Sequence, residues 1–123
     1  MAPWEQVLDE VVRNRRAALV GYACLFAPPS EAEDLVQEAL VRTFARKRTF
    51  EDVYAAEGYV RAAVRTAFLD RSRRRKAWTA RAHLFVDPDG RSPEASVAAG
   101  IDVGAALSEL SPRERTCVVL RYF

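Results

Sequence analysis

Two sets of side chains in this chain have the types and spacing to do chemistry. The first is acidic: Asp34, Gln37, Glu38 and Val41 recur at three- and four-residue steps, which puts them on one face of a helix. Carboxylates and an amide on an outward helix face can meet the arginines of a partner helix through charge-assisted hydrogen bonds. The second set is basic. Residues 42–81 hold twelve cations against four acids, a net of +8, whereas residues 1–41 net −4 and residues 82–123 net −2. The overall charge of +2 therefore hides a concentrated positive block, the footprint expected for a phosphate-backbone partner. One face for a protein and another for an anionic polymer is the organisation of an adaptor.

Enzyme chemistry finds little to work with. There is no glycine-rich phosphate loop, and His83 is the sole histidine. Glu33 and Asp34 are adjacent, so on a helix they point about a quarter-turn apart and suit capping and docking better than acid–base work. Cys24 and Cys117 share no metal-ligand spacing, and both read as buried thiols. No cofactor or metal is expected. The start, MAPWEQVLDE, is acidic where a signal peptide would be basic and then apolar, and no long apolar run could span a bilayer. The expected location is the cytoplasm, without membrane insertion.

The elements that must hold these groups follow from hydrophobic spacing, and they predict an all-α fold. Pro3 suits a first helical turn, and Trp4, Val7, Leu8, Val11, Leu19 and Phe26 predict one helix over residues 4–26, stopped by Pro28-Pro29. Ser30 and Glu33 have the spacing of a capping box. A second helix over 31–46 buries Leu35, Val36, Ala39, Leu40 and Phe44. A third, from about residue 55, buries Tyr59, Val60, Ala63, Val64, Ala67 and Phe68 and runs into the arginine cluster 71–76. Three helices with short connections make a compact antiparallel bundle over residues 1–78. Residues 79–104, with DPDG, Ser92-Pro93, Gly100 and Gly104, read as a linker. Residues 105–123 read as the first part of a second helical domain. There Ser111-Pro112-Arg113-Glu114 forms another capping box, and Val118, Val119, Leu120, Tyr122 and Phe123 form an apolar stripe with no partner nearby in sequence.

These residues resemble a known family. EAEDLVQEALVRTF (31–44) followed by GYVRAAVRTAFLDRSRRR (58–75) is similar to region 2 of bacterial RNA polymerase sigma factors of the extracytoplasmic-function group. LSELSPRERTCVVLRYF (107–123) is similar to the opening of region 4 of the same group. The resemblance implies a promoter-specificity subunit that is not itself catalytic. In the family the acidic second helix docks on the coiled coil of the largest catalytic polymerase subunit. Asp34, Gln37 and Glu38 occupy the matching positions, with Val41 beside them.

The resemblance further implies that the connection and third helix recognise and melt the minus-ten promoter element. The loop would pocket a base flipped out of the non-template strand, and Phe50, Asp52, Val53 and Tyr54 are the loop residues available. Flipping a base costs a few kcal/mol, so stacking and hydrogen-bonding groups are needed. Arg61, Arg65, Arg71 and Arg74 would hold phosphates or stack on bases. Tyr59, where the family often has tryptophan, reads as a core aromatic. Thr66 replaces a frequent asparagine, and Asp70 reads as a structural partner of nearby arginines.

A complete family member continues into a helix-turn-helix that reads the minus-thirty-five element. The expectation here is a chain truncated before it, whose apolar stripe would suit an anti-sigma protein. The competing reading is a helical DNA-binding regulator that works without polymerase, but it gives the acidic face no role.

Overall fold

The computed structural model describes residues 3–81 and 102–123. All the regular structure among them is helical: α1 (Pro3–Asn14), α2 (Arg16–Ala23), α3 (Pro29–Phe44), α4 (Val53–Arg81), α5 (Val103–Ser108) and α6 (Pro112–Tyr122). The expected all-α bundle is what forms. No described helix is long and apolar enough to cross a membrane.

The helix expected over residues 4–26 is interrupted at Arg15, whose backbone sits at φ −120°, ψ 4°. Its guanidinium reaches across to Glu57 of α4, with Nε donating to Oε2 at 2.9 Å and Nη2 to Oε1 at 3.0 Å. Hydrophobic spacing continues through the break, since Val11 and Leu19 are both fully buried. A tertiary ion pair across 42 residues leaves no trace in that local pattern.

The start of α3 also differs from expectation, and prolines explain it. A residue before proline is pushed out of the helical region, so Pro28 (φ −63°, ψ 159°) becomes the N-cap and Pro29 opens the helix. Ser30 therefore lies inside the helix and its capping box with Glu33 does not form. Helix α3 buries Ala32, Leu35, Val36, Ala39, Leu40 and Phe44. Helix α4 answers with Val53, Ala56, Val60, Val64 and Ala67, and this pair is the principal contact of the bundle. Phe26 sits in the core between Tyr22 and Phe68, at ring-centroid distances of 5.5 and 5.0 Å.

Helix α4 has 29 residues, about 43 Å at the usual rise, and ends three residues past the expected boundary at 78. Its side chains from Arg73 onward are all exposed, so its last turns stand clear of the core. The rest of the expected linker, including His83, Asp87, Asp89 and Glu94, lies outside the described residues, apart from the first residues of α5.

At the C-terminal end the Ser111 capping box forms as expected. Glu114 N–H donates to Ser111 Oγ at 3.2 Å, and Ser111 N–H donates to Glu114 Oε1 at 3.0 Å. That backbone donor, followed by the hydroxyl, holds the Glu114 carboxyl below its ordinary range. The apolar stripe of α6 is only half unpartnered. Val119 is fully buried and Leu107 nearly so in the same cluster as the bundle, while Leu120, Tyr122 and Phe123 stay exposed. Arg115, itself buried, donates from Nε to the Leu25 carbonyl at 2.6 Å and lies over the Phe68 ring. That carbonyl lies just past the end of α2, where a cation is favourable. The thiols also differ from expectation: Cys24 is half-buried and Cys117 exposed, because Cys117 faces away from Val119 on α6.

Candidate protein and nucleic-acid interfaces

On α3, the 3.6-residue period that buries Leu35, Val36, Ala39 and Leu40 turns Asp34, Gln37 and Val41 outward. Val41 is 68% exposed, an apolar centre between polar neighbours. Glu38 differs from the other three. It is half-buried, with Oε2 3.5 Å from Arg42 and Oε1 4.0 Å from Arg71 of α4. Neighbouring ion pairs continue the link between the helices, Arg42 to Asp70 at 3.1 Å and Arg75 to Glu31 at 3.9 Å, and Asp70 also meets Arg73 of its own helix at 3.6 Å. Glu38, Arg42, Asp70, Arg73 and Arg74 line an open cleft of about 420 Å³. Asp70 is thus a partner of nearby arginines, as expected.

The α3–α4 connection is held by its own residues. Lys47 takes φ 54°, a left-handed conformation that reverses the chain after Phe44, whose carbonyl accepts from the Lys47 N–H at 3.0 Å. Asp52 caps α4, its Oδ1 accepting from the Ala55 N–H at 2.8 Å. Val53 is buried and Phe50 is half-buried between Phe44 and Tyr59, at 5.6 and 5.1 Å. Of the four loop residues singled out, Tyr54 alone presents its ring freely, at 68% exposure.

Tyr59 departs from the core aromatic expected: it is 46% exposed. The Arg48 guanidinium lies 4.3 Å from its ring centroid and Nη2 donates to its hydroxyl at 2.8 Å. Periodicity places Tyr59 next to the buried Val60, but the loop returns with Phe50 and Arg48 to make a separate aromatic wall. Beside that wall is a cleft of about 280 Å³ lined by Arg42, Thr43, Arg46, Arg48, Tyr59 and Ala63. Thr43 Oγ1 is buried there with no hydrogen-bond partner among the described residues. Sequence reasoning missed Arg42, Thr43, Arg46, Arg48 and Ala63. The one signal pointing to them is the cationic run Arg46-Lys47-Arg48 next to Phe50.

The four arginines singled out on α4 fall into two kinds. Arg61 donates to Glu57 at 3.2 Å and lies 4.8 Å over the Tyr22 ring, and Arg65 donates to the Tyr22 hydroxyl at 2.9 Å. Both are half-buried. Arg71 is also half-buried, near Glu38, whereas Arg74 is exposed. Glu57 is buried and its carboxyl is held below the ordinary range, chiefly by the Arg15 hydrogen bonds, against the opposing cost of burial.

The pattern of the family described as Sigma-70 region 2 matches residues 11–79 of this chain. An RNA polymerase sigma-E factor of Streptomyces coelicolor is 34% identical over 94% of the chain, and another from Streptomyces avermitilis is likewise 34% identical over 94%. The chain belongs to the sigma-70 region 2 family. It spans 66% and 65% of the lengths of those two relatives, just under two thirds. No solved structure matches it. The sigma region 2 match takes in α2, α3 and nearly all of α4, and with them both candidate faces. Helices α5 and α6 lie outside that match.

Proposed function

We propose that this chain acts as a promoter-specificity subunit: it docks on core RNA polymerase through α3 and recognises the unpaired strand of the minus-ten element through the loop and α4. What supports the reading most is the geometry of one helix pair within a sigma region 2 bundle. The outward face of α3 carries Asp34, Gln37 and Val41, while the loop and α4 carry an aromatic wall and a row of guanidiniums.

In this reading Val41 is the apolar anchor of the polymerase contact, ringed by Asp34, Gln37 and the part of Glu38 that remains accessible. On the DNA side, the cleft beside Tyr59 is the place for an extruded base. Its wall offers a ring to stack on, and Thr43, Arg46 and Arg48 offer hydrogen bonds. Phe50 and Val53 shape that wall from behind, Asp52 fixes the start of α4, and Tyr54 offers a second exposed ring beside Arg15. Arg61, Arg65, Arg71 and Arg74 track the backbone of the strand; such contacts supply affinity and salt dependence, and the cleft supplies sequence choice. The reaction belongs to the polymerase. The sigma subunit selects where it starts.

The test is retention of core RNA polymerase by the full chain and by Val41→Glu. Losing a central interface anchor costs about 2 kcal/mol or more, a drop of about 30-fold, in a variant with unchanged helicity. Asp34→Lys should weaken retention in the same direction. Wild-type retention by both variants would remove α3 as the docking face. No retention of polymerase by the wild type, with operator binding intact, would favour a DNA-binding regulator.

A further inference from the structure

Glu57 was singled out by nothing in the sequence, yet it is the most tightly bound acid among the described residues. It is 5% exposed, and both of its oxygens accept from guanidiniums: two bonds from Arg15 and one from Arg61. A buried carboxylate needs such partners. A single paired arginine would neutralise it, and Glu57 has two. One net positive charge is left near the start of α4, on two side chains each 34% exposed.

What those two arginines touch decides their use. The Arg15 guanidinium lies 5.7 Å from the centroid of the exposed Tyr54 ring. Arg61 lies over Tyr22, whose hydroxyl accepts from Arg65. The exposed aromatic at the loop exit and the first two arginines of α4 are therefore linked to one carboxylate: Arg61 directly, Tyr54 through Arg15, and Arg65 through Arg61 and Tyr22. A plain core ion pair would need neither the second guanidinium nor the contact of Arg15 with an exposed ring.

We infer that Glu57, acting through Arg15 and Arg61, is a positioning residue for single-stranded DNA: it holds Tyr54 and Arg61 in the orientation that receives a base and its phosphate. The inference rests on the reading of α4 as a DNA face. Fixing a planar guanidinium before the strand arrives removes an ordering cost from binding.

The experiment measures binding of a single-stranded minus-ten oligonucleotide, and of one with a scrambled sequence, to core polymerase assembled with the full chain. Wild type is compared with Glu57→Gln and with Arg15→Lys, which keeps the charge but loses the two-pronged grip. The expected result is a loss of about tenfold for the minus-ten strand, the size of one stacking contact, with a smaller loss for the scrambled strand. The slope of affinity against salt should also fall by about 0.7, one phosphate contact. Polymerase retention should stay at wild-type strength, which a merely structural role would not separate from DNA binding. If Glu57→Gln does not fold, Arg15→Lys alone decides, because Arg15 is partly exposed. Wild-type affinity, slope and discrimination in a folded variant would overturn the inference. A wild-type assembly that binds neither strand would instead overturn the reading of α4 itself, and the inference with it.

Discussion

The two ends of α4 carry different numbers of arginines, two among residues 53–69 and five among residues 70–81, and hold them in different ways. In the first half, Arg61 and Arg65 are half-buried and tied to Glu57 and to Tyr22. Beyond Asp70, Arg73, Arg74 and Arg75 are exposed, and Arg73 and Arg75 meet Asp70 and Glu31 only at 3.6 and 3.9 Å. Fixed guanidiniums beside aromatic rings suit a phosphate held in register with a stacked base. Loosely paired ones suit a backbone of any sequence, because surface ion pairs of this kind contribute little and exchange readily for phosphate. In the proposed reading, sequence choice belongs to the first half of α4 and its loop, and sequence-independent affinity to the second half.

The largest expected effect lies in the first half. Tyr59→Ala should weaken binding of the assembled polymerase to single-stranded minus-ten DNA by about tenfold, one lost stacking contact, and leave a scrambled strand nearly unaffected. An equal loss on both strands would erase the difference between the two halves. Next comes the cap that fixes where α4 starts. Asp52→Ala should destabilise the fold by about 1 kcal/mol in a denaturant titration, and a neutral result would mean that the loop is held by other contacts. In the second half, Arg74→Ala should lower the salt slope by about 0.7 for any sequence, at unchanged melting temperature. A change in base discrimination instead would move Arg74 into the sequence-reading set.

The mildest prediction concerns acid. The folded-state value of Glu57 lies below that of an ordinary carboxyl, so its contribution to stability is fully present above the ordinary carboxylate range. It is lost as pH falls through the depressed folded value. Melting temperature should therefore decline on acidification, less steeply in Glu57→Gln, and identical slopes would place the acid sensitivity elsewhere.

What could be read from sequence was local or periodic. The buried faces of α3 and α4 follow a 3.6-residue spacing, and the Ser111 capping box depends on four consecutive residues. The Ser30 capping box failed because Pro28-Pro29 starts the helix earlier, a local rule overruled by a stronger one. The interruption at Arg15, the exposure of Tyr59 and the burial of Val119 are different. Each is decided by a partner far away in sequence: Glu57, the returning loop with Arg48, and the bundle under α6. The same holds for the candidate site. The outward α3 face was legible, but the cleft lined by Thr43, Arg46 and Arg48 exists only once the loop has folded back.

The most direct test asks whether the chain joins its two proposed partners. Labelled single-stranded minus-ten DNA would be captured on immobilised core RNA polymerase alone, with the wild-type chain, and with Val41→Glu. Capture with the wild-type chain, and background levels in the other two cases, is the predicted result. Equal capture with Val41→Glu, or DNA binding by the chain that polymerase does not enhance, would contradict the account of an adaptor with one face for each partner.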